Sequence, residues 1–340
     1  MADKLNSILF DSRFIIDGIE MPLTPAQLLG SESKADDAAP VVDESLDPAI
    51  CPYDFDDALI SEYLCKVSGA NRVPVQFPSA GEYSRFVIYD SLIETIWRGG
   101  HFKLEDLSLS LRWKWKDAGL GSMAAFYESV RQASELADAL DVKISAFSCA
   151  GGVPSFEAAS SVRSARRILE VFAPDSDSWI IYVPFSTGAY RLGSSSLAHA
   201  LSLEGGVVPE LDDPDYMIDC YELCRELVED GVALSGITVG RGGLMRALDA
   251  MCPTGCGVDA DISDLMRAYP GSGTVEVLFG ETPGVLFQIG DDDFDYIDAE
   301  FILQDVMYFP LGHPVPSGKG VHLRSSSQSA LGSILSSLVR

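Results

Sequence analysis

Nowhere does the sequence hold an apolar run approaching the ~20 residues that a membrane-spanning helix requires. Positive charge is also scarce: 24 Lys and Arg stand against 51 Asp and Glu, a formal net charge of −27. A polyanion of this kind repels nucleic acid, so nonspecific DNA or RNA binding is excluded, and solubility or a basic protein partner is favoured. Met1-Ala2-Asp3-Lys4 opens neither a basic-then-apolar secretory pattern nor an Arg-rich transit pattern. The expectation is a cytoplasmic or nuclear chain with no membrane partner. Histidine is rare, at four positions (His101, His199, His313 and His322), none beside a cysteine pair. Seven cysteines in a chain this long build no oxidised framework, and the odd count leaves one over. Cys220 with Cys224, and Cys252 with Cys256, invite a metal reading, yet neither pair has zinc-ribbon spacing. Met217, Cys220, Cys224 and Leu227 recur at helical spacing, which puts the first pair on a buried helix face. No metal site is expected.

What is present suffices for two domains: 340 residues, 47% of them hydrophobic. Residues 30 to 57 are rich in Asp, Glu, Ser, Ala and Pro without periodicity, so 1–57 is expected to be an acidic, partly disordered segment. Tyr83 to Trp97 reads as a helix. Leu107 to Trp115 alternates apolar and polar residues, the period of a half-buried strand. Met123, Phe126, Val130, Ala133, Ala137 and Leu140 form one helical stripe. Lys143 to Cys149 and Arg167 to Phe172 read as strands, and Asp175 to Ser178 as a joint. Beyond it, Trp179 to Pro184 suits a central strand. Asp213-Pro214 starts a helix that Gly231 ends. A strand over Val232 to Val239, a glycine run, a helix from Gly243 to Met251, strands over Thr274 to Phe279 and Gly284 to Ile289, and a helix over Phe294 to Gln304 follow. The tail from Ser317 to Ser329 is rich in Ser and Gly, and Ala330 to Val339 has the pattern of a short amphipathic helix. An α+β lobe followed by an α/β lobe is predicted, with boundaries at 1–57, 58–176, 177–316 and a flexible 317–340.

The glycine run Gly236-Ile-Thr-Val-Gly-Arg-Gly-Gly243 follows a strand and opens a helix. Free amides at a helix N-terminus make a natural anion seat. It is no Walker loop, because no Gly-Lys-Ser/Thr occurs, and it lacks the usual place of a Rossmann fingerprint after the first strand.

Four stretches, in order, carry a family likeness: Arg191-Leu-Gly-Ser-Ser-Ser-Leu-Ala198, Val208-Pro-Glu-Leu-Asp-Asp-Pro214, Leu234-Ser-Gly-Ile-Thr-Val-Gly-Arg-Gly-Gly-Leu244 and Leu278-Phe-Gly-Glu-Thr-Pro-Gly284. With Arg112-Trp-Lys-Trp115 ahead of the Met123 helix, the set resembles the second synthase half of large-type phosphoribosylformylglycinamidine (FGAM) synthase. The resemblance covers roughly residues 83 to 312 and implies the two-lobed fold of the aminoimidazole ribonucleotide (AIR) synthase superfamily. In that fold a barrel-forming N-terminal lobe pairs with another copy, and a separate C-terminal α/β lobe follows.

The departures are as informative. The family reads Gly-His-Asp-Val-Ser-Asp-Gly-Gly-Leu where this chain has Gly236 to Leu244: Ile237 replaces the histidine, Thr238 the first aspartate, Gly240 the serine and Arg241 the second aspartate. A carboxylate suited to Mg²⁺ has become a cation. The family's Gly-Lys-Asp-Ser falls at Phe147-Ser148-Cys149-Ala150, without lysine or aspartate. These losses remove the electrostatic stabilisation on which phosphoryl transfer depends. The resemblance therefore implies a degenerate nucleotide or anion site at Gly236, Gly240, Arg241, Gly242, Gly243, Gly193, Ser195 and Ser148, with no catalytic residue. Glu281, kept from the family's pattern, reads as a turn acid at a strand end or as a polar contact in the cleft. No cofactor is expected; ATP or ADP with Mg²⁺ belongs only to the enzyme alternative.

That pattern suits a noncatalytic binding or assembly scaffold. Degenerate relatives of the enzyme include gammaherpesvirus tegument proteins, which makes a nuclear or virion location the viral variant of this reading. The alternative is one part of a purine-biosynthetic synthase whose active site another chain completes. A third reading is a metal-free anion sensor at Arg241 and the Gly242 and Gly243 amides. Self-pairing, or docking on a synthase-like chain, is expected through Leu107 to Trp115 of the N-terminal lobe.

Overall fold

The computed structural model describes residues 8–32, 39–45, 80–162, 166–193, 195–201, 208–316, 318 and 320–324. The chain divides into two compact units: Met1–Asp54 with Gln76–Leu92 and Leu104–Val162, and Phe55–Val75 with Ile93–Lys103 and Arg163–Arg340.

The first unit opens with β1 (Phe14–Ile16), β2 (Ile19–Glu20), α1 (Pro25–Leu28) and β3 (Val41–Asp43). Thr24 and Gln27 cap α1 reciprocally. Strand β3 runs parallel to β1. Within a segment whose composition suggests a loose acidic linker, residues 41–43 are therefore structural. The reason is Asp43, which is buried. Its carboxylate accepts from the amides of Gly121 at 2.7 Å, Met123 at 2.7 Å and Ala124 at 3.0 Å. Those amides open a helix whose own N-cap residue, Gly121, carries no capping side chain.

Next come α2 (Ala80–Ile93), β4 (Ser108–Lys114), α3 (Ser122–Ala139), β5 (Lys143–Ala150) and β6 (Ser155–Ser161). The apolar members of β4, Leu109, Leu111 and Trp113, are buried, as are Phe126, Val130, Ala133 and Ala137 of the α3 stripe. Trp113 Nε1 donates to Ser129 Oγ at 2.8 Å, fixing strand to helix. Alternation and helical period thus both landed where the side chains lie. The expected use of this strand needs correction: β4 is the centre of a three-stranded sheet, parallel to β5 and antiparallel to β6. Both its edges are paired, so edge-to-edge association through Leu107 to Trp115 is excluded. The strand's other face, with Arg112 and Lys114 exposed and Ser110 half-buried, is the side of β4 that solvent reaches among the described residues.

The second unit contains β7 (Trp179–Pro184), α4 (Ser196–Leu201), α5 (Pro214–Glu229), β8 (Ala233–Val239), α6 (Gly243–Ala250), β9 (Cys256–Asp261), α7 (Ser263–Ala268), α8 (Thr274–Phe279), β10 (Gly284–Ile289), α9 (Phe294–Leu303), β11 (Phe309–Pro316) and β12 (Gly320–Arg324). Its sheet has the order β12-β9-β11-β7-β10-β8, antiparallel throughout except for β12 beside β9. Asp213 caps α5 through the Tyr216 amide at 3.0 Å, and Gly231 turns out of the helix at φ +74°. Cys220 and Cys224 are buried on α5.

Three sequence expectations fail here. Thr274–Phe279 is a helix, not a strand. Its β-branched run has strand composition, but four of its six residues, Val275, Val277, Leu278 and Phe279, are buried, and a run this short with so many buried positions gives no usable period. Arg167 to Phe172 is not a strand; Arg167 forms only an isolated bridge with Arg98. Gly320–Arg324, inside the segment expected to be a tail, is a strand of the sheet. The helix expected over Ala330 to Val339 lies outside the described residues. Asp175 to Ser178 sits within the second unit, where buried Gln288 donates to Ser178 Oγ at 2.7 Å and to the Ala173 carbonyl at 2.6 Å. Among the described residues no helix is long and apolar enough to cross a membrane.

Candidate functional site

The glycine run divides into two structural parts. Gly236 to Val239 complete β8, and only Gly240 to Gly242 form the turn into α6. Gly236 is thus a packing residue rather than a loop residue: a Cβ there would meet the Trp97 ring at 2.4 Å and the Leu286 carbonyl at 2.8 Å. Gly242 and Gly243 turn left-handed, at φ +88° and +69°. At Gly243 a Cβ would also come within 2.6 Å of the Leu278 carbonyl. These glycines let the start of α6 approach the end of α8.

Thr238, which the motif likeness sets against the family's first aspartate, sits in a closed polar chain. Trp97 Nε1 donates to Thr238 Oγ1 at 2.8 Å, and Thr238 donates to Glu94 Oε2 at 2.8 Å. Glu94 in turn meets Arg167 and Arg98, each at 3.5 Å. Arg167 lies over the Trp97 ring, 5.0 Å from its centre, and donates to the Gly236 carbonyl. Hydroxyl, indole, carboxylate and guanidinium satisfy one another. Glu94, Trp97 and Arg167 were not foreseen as members of this region, since their partners lie some 70 to 144 residues away in sequence.

At the turn itself the anion is supplied by the protein. Glu281 Oε1 accepts from the Gly242 amide and from the Ser196 amide, both at 2.8 Å. One carboxylate therefore joins the starts of α4 and α6. The residue as a whole keeps part of its surface in solvent, but its carboxyl end is drawn inward. Burial is the largest influence and raises its pKa above the ordinary carboxylate value; the two amides, the Ser196 hydroxyl and the Arg241 charge oppose that rise without cancelling it. The Gly243 amide is also satisfied, by the Gly240 carbonyl at 2.9 Å. Glu281 holds φ +47°, a strained conformation for a side-chain-bearing residue. Its role went unseen because a turn acid and a helix-bridging acid look identical in a single sequence.

Of the remaining predicted residues, Ser195 is buried and its Oγ accepts from the Ala198 amide at 3.1 Å, capping α4. Gly193 is buried in the preceding turn. Ser148 is exposed on β5 in the first unit, opposite Arg112; the other seven residues belong to the second unit.

A divalent metal does not fit these residues. Neither Thr238 nor Arg241 brings a carboxylate to the turn, and no group of three or more His, Cys, Asp or Glu converges among the described residues. Nucleophilic chemistry is also unsupported at the buried thiols. Burial raises the Cys149 pKa to about 11 and moves Cys220 and Cys224 upward as well, which keeps them protonated and unreactive.

No protein-family model matches the chain. Phosphoribosylformylglycinamidine synthase from Homo sapiens is 28% identical over 159 residues, 46% of this chain. A probable phosphoribosylformylglycinamidine synthase from Arabidopsis thaliana, described as chloroplastic/mitochondrial, is 24% identical over 256 residues, 69% of this chain. Among solved structures, Thermotoga maritima PurL complexed with FGAR has a TM-score of 0.55 at 12% identity, covering 84% of this chain and 51% of that one. This chain resembles FGAM synthase. It shares the AIR-synthase-like fold with PurL, so the two-lobed architecture implied by the sequence motifs holds. The FGAM-synthase-like chain spans 12% and 17% of the lengths of the human and Arabidopsis relatives.

Proposed function

We propose that this FGAM-synthase-like chain is a noncatalytic binding or assembly scaffold. The observation that carries the reading is the replacement of metal-binding carboxylates by Thr238 and Arg241, with Thr238 already bound to Trp97 and Glu94. Glu281 accepts from the Gly242 and Ser196 amides, but as an acid kept from the family's pattern it does not separate this chain from a working relative. Phosphoryl transfer rests on metal stabilisation of the phosphates, and no cluster of metal-ligating side chains converges among the described residues. The scaffold partners by its first unit with itself or with a synthase-like chain, using the open face of β4 to β6. A virion role of the gammaherpesvirus kind is an analogy of fold and site loss.

A second reading is favoured by one fact, the small fraction of its relatives' length that the chain spans. It would then be one part of an ATP-dependent amidine-forming synthase, completed by another chain. Thermal unfolding with ATP, with and without Mg²⁺, separates the readings, because a ligand of the folded state raises stability with the ratio of its concentration to Kd. The scaffold reading expects no rise in Tm in either condition. A Mg²⁺-dependent rise would support the enzyme reading, and a metal-free rise abolished by Arg241→Asp would support an anion sensor.

A further inference from the structure

Cys252 and Cys256 bound one short turn between α6 and β9, and each is anchored to a different element. Cys252 closes the last turn of α6: its amide donates to the Asp249 carbonyl at 3.0 Å and its thiol to the Leu248 carbonyl at 3.3 Å. Cys256 is the first residue of β9, opposite Pro316 of β11. Between them Pro253, which has no N–H to extend the helix, ends it. The chain then reverses. The Cys256 amide donates to the Pro253 carbonyl at 2.9 Å, and Gly255 turns left-handed at φ +92°.

Such a turn holds its first and fourth Cα atoms within about 7 Å, and Cys252 is one Cα step of about 3.8 Å from Pro253. The two cysteine Cα atoms are therefore under about 11 Å apart, against about 4.4–6.8 Å in a disulfide. The segment that must close any difference is Pro253 to Gly255, all of it exposed, and a Cβ on Gly255 would meet nothing within 4 Å. Movement there is unobstructed. The two thiols also sense one another: Cys256 adds to the rise of the Cys252 pKa to about 11, after burial and Asp249. Cys149, Cys220 and Cys224 are buried, whereas Cys252 and Cys256 keep partial access to solvent. A small oxidant reaches this pair before those three.

We propose that Cys252 and Cys256 are a redox pair that a peroxide converts to an intramolecular disulfide, reversibly locking the end of α6 to the start of β9. The Cys256 thiolate attacks one peroxide oxygen, the O–O bond breaks, and a sulfenic acid and water result. Cys252, held as a thiol by its bond to Leu248, then loses its proton and attacks the Cys256 sulfur. The S–S bond forms and the sulfenic oxygen leaves as a second water. Two thiols give up two electrons, and one peroxide becomes two waters. An external dithiol reverses the step by exchange.

The test treats the full chain with hydrogen peroxide and dimedone, which traps sulfenic acids, then unfolds it, alkylates the remaining thiols and digests with trypsin. Both cysteines fall in one tryptic peptide, 247–267, which holds no other cysteine. In wild type this peptide should emerge about 2 Da lighter, free of dimedone and alkyl groups, and dithiothreitol should restore both thiols. Cys252→Ser removes the second thiol, so dimedone should accumulate on Cys256. Cys256→Ser should leave Cys252 alkylatable, and Cys149, Cys220 and Cys224 should stay alkylatable throughout. A dimedone adduct on wild-type Cys256 with no disulfide would overturn the inference, because the turn would then not close. So would a disulfide from this peptide to another cysteine or another chain. Oxidation of the buried thiols at the same rate would overturn it as well, since the reaction would then follow unfolding.

Discussion

Each unit contains a helix start sealed by a carboxylate that comes from a distant part of the chain, and the two seals are opposite in electrostatic character. In the first unit Asp43 accepts from Gly121, Met123 and Ala124, and also from the Glu44 amide at 2.9 Å. Burial acts most strongly on it and upward, yet the four amides together outweigh burial and its pKa is lowered. In the second unit Glu281 has two amides, one serine hydroxyl and the nearby Arg241, and burial wins, so its pKa is raised. The count of donors against the depth of burial decides the sign. Asp43 is therefore a capping anion that the first unit is built around. Glu281 is an anion held at a cost, at the junction of the starts of α4 and α6.

The comparison breaks most sharply at Asp43→Ala. It strands three amides at the start of α3, and a loss of about 3 kcal/mol is expected from the cost of unsatisfied buried donors. Urea unfolding measures it, and a loss under about 1 kcal/mol would show that water replaces the carboxylate without penalty. Glu281→Ala strands two amides and should cost about 2 kcal/mol. Asp43→Asn keeps an acceptor but loses the charge-assisted bonds, and should cost about 1–2 kcal/mol at pH 7. Glu281→Gln keeps an acceptor and removes a charge the fold disfavours, so stability at pH 7 should stay within about 0.5 kcal/mol of wild type or rise. A clear loss there would contradict the contrast drawn between the two sites.

Their pH dependence runs in opposite directions. The lowered Asp43 contributes stability present above its unfolded value of about 3.9 and lost as pH falls through its folded value. The raised Glu281 contributes stability that is full below its unfolded value of about 4.3 and lost as pH rises through its folded value. The deficit of Asp43→Asn should therefore shrink below about pH 4, whereas any advantage of Glu281→Gln should appear only above about pH 4.

Local patterns in the sequence carried much of this architecture. The alternation of β4, the stripe of α3, the cap at Asp213-Pro214 and the end at Gly231 each depend on residues within a few positions, and each appears as expected. The motif likeness also identified the right fold. What escaped depends on distant partners. Thr274–Phe279 is helical although its composition favours a strand. Val41–Asp43 is fixed by amides about 80 residues away. The glycine run was legible as a turn, but Gly236 answers to Trp97 and the turn's amides to Glu281, neither of which spacing reveals.

The central claim is that the degenerate site has lost metal-dependent nucleotide binding, and direct calorimetric titration with ATP in excess Mg²⁺ tests it most closely. The account predicts no saturable heat up to about 1 mM ligand, the weak limit of ordinary specific affinity. Saturable 1:1 binding at micromolar Kd that disappears on chelating Mg²⁺ would contradict it.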